Sequence, residues 1–349
     1  MLDHRDMRNP GELRSPGQPR AAVPTGALLS HNEAMNLQTT QTARSSAEAV
    51  DAAAVLLRDL IDYAGLFPPA SLAMAPSVAN YDSYSRSEWS WILGRFIVPI
   101  AGIAEFEEAF AGLPAPTPGT GFTTWRLSGL LGSDPVADVA RIREFNARLA
   151  SSSSGRRAVV ESVEVKVASP EEVKRLSGII PAELATYFEV PLSCGECIAA
   201  VAGCGRRAKI RTGGETAGKF PAPEKVVEFI RLCAAANVPF KATAGLHHPL
   251  RSVHRFTYQP DSPSGVMHGF VNIFLAAAFV RAGMETKLAV QLLEEQSADA
   301  FHFSADGVDW RQHRLSQREI AAARRSFAVS FGSCSFTEPI DDLKSLRLL

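Results

Sequence analysis

Cysteine is scarce in this chain, neither sign of charge prevails, and no apolar run is long. Five cysteines occur in 349 residues, at positions 194, 197, 204, 233 and 334. So small, odd and scattered a set excludes a disulfide-stapled scaffold and suits a reducing, cytoplasmic compartment. Cys194-Gly195-Glu196-Cys197 with Cys204 has half of a zinc pattern and lacks the other half. These cysteines are therefore expected to pack a helix, and Cys334 to be a small buried residue. The formal net charge of −1 excludes a dedicated nucleic-acid binder, which carries a basic excess on its binding face. The longest apolar run, Phe270 to Val280 interrupted by Asn272, is too short for a bilayer and fits a buried helix, so no membrane partner is expected. No secretory h-region is visible at the start. No Gly-x-Gly-x-x-Gly follows the first strand candidate and no Gly-Lys-Ser/Thr loop occurs, which removes the dinucleotide and phosphate-loop signatures.

What the chain does contain is alternation. Residues 1–48 mix Pro, Gly, Arg, Asn, Gln, Ser and Thr without apolar periodicity and read as a disordered tail. Beyond them, eight short strand candidates fall at 60–63, 94–99, 122–127, 162–167, 187–190, 207–211, 238–242 and 327–331. Helical patterns separate them at 101–113, 134–149, 170–177, 194–202, 223–236 and 268–282. Alternation of this kind predicts a parallel sheet, and eight units over residues 49–349 favour a closed (β/α)8 barrel of the TIM type over an open sheet. The stretch 268–314 exceeds the minimal barrel. It holds two helical patterns and an Asp306-Gly307 hairpin signal between Phe301 and Trp310, and reads as an insertion before the last strand. Its apolar residues predict an exposed patch and hence a homo-oligomer, most simply a dimer, in which the insertion with Trp310 packs against a neighbour or closes over the strand ends.

Active sites of such barrels form at the carboxyl ends of the strands. Two lysines thirty-two residues apart mark that region, in Ala208-Lys209-Ile210-Arg211-Thr212-Gly213-Gly214 and Phe240-Lys241-Ala242-Thr243-Ala244-Gly245-Leu246-His247-His248. Each ends a strand candidate with a helical pattern between, so a parallel sheet sets the two amines side by side. A lysine beside another cation loses proton affinity, and a neutral amine attacks a carbonyl to form a Schiff base. Asp62, Glu164, His247 and His248 are the acid–base candidates beside them. Arg211, Arg95, Arg126, Glu189, Thr212, Gly213, Ser333 and Ser335 are the candidates for binding substrate. From Gly205 to Lys225 there are six Lys/Arg and two Asp/Glu, which predicts an anionic substrate.

The run from Lys209 to Lys241 resembles the deoxyribose-phosphate aldolase type of class I aldolase. In that family the sixth strand carries the Schiff-base lysine ahead of a Thr-Gly-rich turn, and the seventh carries a second lysine that depresses the first one's pKa. Leu60-Ile61-Asp62-Tyr63-Ala64-Gly65-Leu66-Phe67-Pro68 is similar to its opening strand, and Phe331-Gly332-Ser333-Cys334-Ser335 to its closing Gly-x-Ser strand. The resemblance implies that Lys209 forms the Schiff base, that Lys241 is its pKa partner and that Asp62 is a polar residue of the first strand. It departs on the fourth strand, where Glu164 or Lys166 replaces an aspartate, and at His247-His248-Pro249, which stands where the family has a glycine-rich turn to a phosphate site.

The expected function is thus a lyase that cleaves or forms a carbon–carbon bond in a small anionic carbonyl compound, with no cofactor and no metal. Two other classes compete. One is a metal-dependent lyase, isomerase or hydrolase using Glu189, His247, His248 and His268. The other is a non-catalytic barrel that binds a small anion or a partner protein.

Overall fold

The computed structural model describes residues 51–114, 123–150 and 156–349; the tail to residue 48 lies outside them. Helix α1 (Ala52–Leu57) leads into β1 (Ile61–Tyr63), and six βα units follow. They are α2 (Met74–Ser85), β2 (Leu93–Pro99), α3 (Ile103–Ala111), β3 (Thr123–Leu130), α4 (Pro135–Ala150), β4 (Arg156–Lys166), α5 (Pro170–Ile179), β5 (Ala185–Glu189), α6 (Gly195–Gly203), β6 (Arg207–Arg211), α7 (Pro223–Ala235) and β7 (Phe240–Thr243). Next come the antiparallel hairpin β8 (Ser252–Arg255) and β9 (Ser264–Met267), helices α8 (Phe270–Arg281) and α9 (Thr286–Glu294), and a three-stranded sheet of β10 (Phe301–Phe303), β11 (Gly307–Trp310) and β12 (His313–Ser316). Helix α10 (Gln317–Ser326), strand β13 (Ala328–Ser333) and helix α11 (Thr337–Ser345) complete the chain.

Strand β13 pairs with both β1 and β7, so eight parallel strands close into a barrel in the order β1-β13-β7-β6-β5-β4-β3-β2. This is the (β/α)8 architecture that the alternation predicts. Local signals start the helices, at a predicted place for α5 and at one that the sequence patterns did not name for α10. Ser169 caps α5 by accepting from the Glu172 amide, with Pro170 in the first turn, where its missing N–H leaves no bond unmade. A capping box between Ser316 and Glu319 starts α10.

The insertion does not present its apolar helix to solvent. Every residue of α8 from Phe270 to Val280 is buried, because α7, α9, α10 and β13 all pack against it. Asn272, the one polar residue within that run, donates to the carbonyls of Leu292 and Glu295 and accepts from the Arg251 amide. Trp310 is fully buried, and its indole N–H donates to Glu295. The apolar area that predicted an oligomer interface is therefore monomer core, and that ground for expecting an oligomer falls. Among the described residues no helix is long and apolar enough to cross a membrane.

A second correction concerns Cys194 and Cys197, which form a disulfide and are not independent packing thiols. Cys194 is the residue before the first turn of α6, and that geometry brings the two Cα atoms to 5.3 Å, within bridging range. Three cysteines remain free, Cys204, Cys233 and Cys334.

Candidate active site

Strand register decides which charged side chains meet inside the barrel. Lys209 lies directly opposite Lys241 across the β6–β7 pair, and Glu189 opposite Lys209 across β5–β6. The two lysines are thus side by side as their positions predict, but a carboxylate stands between them. Glu164 on β4 accepts from Lys209 Nζ through Oε2 at 2.8 Å and from Lys241 Nζ through Oε1 at 2.5 Å. Lys241 donates again to Asp62 Oδ2 at 2.6 Å, and Lys209 to Glu189 Oε2 at 2.9 Å, while Arg211 Nε donates to Glu189 Oε1 at 3.1 Å. The result is an unbroken chain, Asp62–Lys241–Glu164–Lys209–Glu189–Arg211, with three carboxylates and three cations in balance. Hydroxyls satisfy the remaining lone pairs. Ser330 donates to Asp62 and Ser128 to Glu164, and the Arg95 backbone amide donates to Asp62 Oδ1. Such full pairing is what a buried ionic network requires.

The balance changes the role expected of Lys241. Burial alone would pull its amine down, but the charges and hydrogen bonds of Asp62 and Glu164 outweigh that and hold it above the usual lysine value. Its positive charge is consumed by its two carboxylates and by the Tyr187 ring, whose centroid lies 5.4 Å away. It is therefore not a free cation acting on Lys209. Burial pushes the Glu164 carboxyl up, yet Lys209 and Lys241 together bring it well below the carboxylate range. Asp62 is likewise lowered, with burial opposed by Lys241 and Arg95, and Glu189 is lowered with burial opposed by Lys209 and Arg211. All three carboxylates are ionised at neutral pH.

Above this network the strand ends open into a cavity of about 640 Å³. Lys209, Glu164, Glu189 and Arg211 line it, whereas Lys241 and Asp62 lie beneath, outside the lining. Of the two paired amines, Lys209 is the one that a small molecule in the cavity can reach. Lys166, Lys219 and His247 add cationic groups to the wall, Glu215 an acidic one, and Phe67, Ile97 and Leu130 an apolar side. Lys166 shares the outer end of β4 with Glu164, two residues on, as strand alternation predicts.

Several predicted residues serve the barrel instead of its mouth. Arg95 pairs with Glu161 at 2.7 Å, and Arg126 with Asp59 at 3.2 Å and Glu161 at 3.8 Å. Asp59 precedes β1, so this cluster lies at the amino end of the barrel. Strand β3 runs on to Leu130, which leaves Arg126 well short of its carboxyl end. Thr212 and Gly213 clasp β6 to β7. The Thr212 hydroxyl reaches the carbonyls of Thr243 and Ala244, and a Cβ on Gly213 would come within 2.8 Å of the Gly245 Cα. Ala244 and Gly245 both take left-handed backbone there, with φ of 64° and 70°. The twin Thr-Gly turns are therefore a structural clasp, and Gly214 lines the cavity in place of Gly213. Ser333 accepts from the Ser335 amide at 3.4 Å, and Ser335 accepts from the Glu338 amide at 3.2 Å, which caps the first turn of α11.

The histidines separate. His247 lines the cavity, with Nδ1 against Glu338 Oε2 at 2.9 Å and Nε2 toward Cys334 Sγ at 4.0 Å. Burial pulls this imidazole down, but its contacts with Cys334 and Glu338 prevail and raise it to about 9. His248 turns away to Asp342, at 2.6 Å, and stacks on His254. His268 donates to the Pro221 carbonyl and accepts from Arg251, and burial lowers it to about 4, so it is neutral. Glu189, His247, His248 and His268 are thus not gathered as a ligand set, and no group of three or more His, Cys, Asp or Glu placed to hold a metal ion occurs among the described residues.

Sequence reading missed Glu338, Tyr258, Ser128 and Ser330 and took Cys334 as a packing residue. The two serines carried a signal, each being a small hydroxyl between apolar neighbours within a strand, Leu127 and Gly129 for Ser128 and Val329 and Phe331 for Ser330. Glu338 and Tyr258 carried none, because their meeting with His247 depends on how α11 and the β8–β9 connection fold over the mouth. No protein-family model matches the chain, and no characterised protein matches it significantly.

Proposed function

We propose that this barrel is a lyase of the class I aldolase type, acting on a small anionic carbonyl compound through a Schiff base on Lys209. One observation carries the reading: of two paired lysines in one buried ionic chain, Lys209 alone lines the cavity. A barrel with no reaction to perform has little use for five charged groups buried in its interior, since apolar residues of similar volume are often at least as stable there. Lys209 passes a proton to Glu164 or Glu189, the acceptors at 2.8 and 2.9 Å, and attacks the carbonyl carbon. The carbinolamine hydroxyl takes that proton back from the carboxylic acid and leaves as water as the iminium forms, which frees the carboxylate again. The iminium withdraws the electron pair of the adjacent carbon–carbon bond, and Glu164 or Glu189 takes the proton whose loss lets that bond break. Lys241 keeps Glu164 ionised and in place, so it positions the base instead of tuning the nucleophile. Arg211, Lys166, Lys219 and protonated His247 hold the anionic end.

Borohydride trapping tests this reading. The full chain is incubated with glyceraldehyde 3-phosphate, pyruvate or acetaldehyde, reduced, and mapped by peptide mass. A reduction-dependent adduct on Lys209, lost in Lys209→Ala while Lys241 stays unmodified, is the expected result. Absence of any reduced adduct on Lys209 across the panel would overturn it.

A further inference from the structure

We propose that Cys334, His247 and Glu338 form a thiol–imidazole–carboxylate triad that opens into the barrel cavity, a second covalent nucleophile that takes an aldehyde carbonyl. The three side chains come from three places. His247 follows β7, Cys334 follows β13 directly, and Glu338 lies in the first turn of α11. Glu338 engages Nδ1 of the ring at 2.9 Å, which leaves Nε2 directed at the sulfur at 4.0 Å. That is the division of labour a nucleophile, its proton acceptor and an orienting carboxylate require. The Tyr258 hydroxyl donates to Glu338 at 3.1 Å and lies 3.6 Å from the sulfur, so it closes the group on its outer side.

Burial favours chemistry over packing. Cys334 and His247 are 6% and 8% exposed, and both line the cavity. The sulfur therefore faces the cavity and not bulk solvent. Cys233 provides the contrast: it is buried with no polar partner, and burial alone pushes its thiol up, as for an inert packing residue. The thiol proton rests on Nε2, so a thiolate faces an imidazolium that Glu338 holds, and the step balances without any further reactant. Sulfur attacks the aldehyde carbon, the carbon–sulfur bond forms, and the carbonyl π pair moves to oxygen. The oxygen takes the proton from Nε2, giving a thiohemiacetal and a neutral imidazole, and nothing leaves. The chemistry is independent of Lys209, although both groups face one cavity.

The test is alkylation of the full chain with iodoacetamide, read by peptide mapping. Cys334 should label about tenfold or more faster than the half-buried Cys204 near pH 7, and Cys334→Ser should remove the fast phase. His247→Gln should slow the labelling about tenfold, and Glu338→Gln by a smaller factor with a steeper rise between about pH 7 and 9, a change that a merely structural role would not produce. Lys209→Ala should leave the rate within about twofold. In that background added propionaldehyde should protect Cys334 reversibly, which separates this site from the Schiff-base lysine. If Cys334 labels no faster than Cys204 in the unmodified protein, if His247→Gln leaves the rate unchanged, or if propionaldehyde gives no protection, the proposal is overturned.

Discussion

Replacing Lys241 with methionine removes a charge and keeps much of the volume, so the cost falls on the carboxylates that the amine neutralises. Lys241 is 1% exposed and its partners Asp62 and Glu164 are 0% and 1% exposed. The substitution leaves two buried carboxylates with fewer counter-charges. Breaking one side of a buried ion pair destabilises by about 3–5 kcal/mol, because the orphaned charge stays desolvated. Arg95 remains near Asp62 and Lys209 beside Glu164, which places the expected loss at the lower end, about 3 kcal/mol. The pH dependence has a definite sign. In the native protein both carboxylates are held below their unfolded values, so their contribution is present above the carboxylate range and is lost as pH falls through it. In Lys241→Met burial is less opposed, the carboxyls rise, and protonation relieves the variant first. Its deficit should therefore be largest near pH 8 and shrink by about pH 5. Urea unfolding followed by circular dichroism at both pH values measures this. Adding Asp62→Asn should recover part of the loss, with a coupling of about 0.5–3 kcal/mol. A variant within about 0.5 kcal/mol of the native protein at pH 8 would refute the buried chain. So would a deficit that is the same at both pH values.

Trp310→Ala should destabilise the monomer by about 3–5 kcal/mol through the cavity it leaves and the lost bond to Glu295. The unfolding midpoint should be independent of protein concentration; a midpoint that climbs with concentration would restore the interface reading. His247 should add a basic limb to the stability profile. Its folded pKa of about 9 lies above the ordinary 6.5, so its contribution of about 3 kcal/mol is complete below pH 6.5 and is lost as pH rises toward 9. His247→Gln should flatten that limb, and a profile that keeps it would assign the loss to another group.

The sequence by itself determined the eight barrel strands, most of the helices between them and their faces, though not α2, α10, α11 or the β8–β9 hairpin. Apolar runs of strand length alternating with helical patterns specify a closed parallel barrel, because a parallel pair needs a crossover and eight strand units are present. Period-two alternation placed Lys209 with Arg211 and Glu164 with Lys166, since neighbouring side chains of a strand point to opposite faces. Position along a strand was less legible. Arg126 read as a mouth residue only while β3 was taken to stop at residue 127, and Arg95 sits near the amino end of β2, not its carboxyl end. Tertiary structure alone decided which groups meet. Strand register put Glu164 between the two lysines and Lys241 beneath the cavity floor, and it converted the twin Thr-Gly turns into a clasp. The packing of α7, α9, α10 and β13 around α8 turned an apparent interface into core. Local patterns set what each segment becomes and which way its side chains face. Contacts between segments far apart in the chain follow from barrel closure and register, which no local pattern encodes.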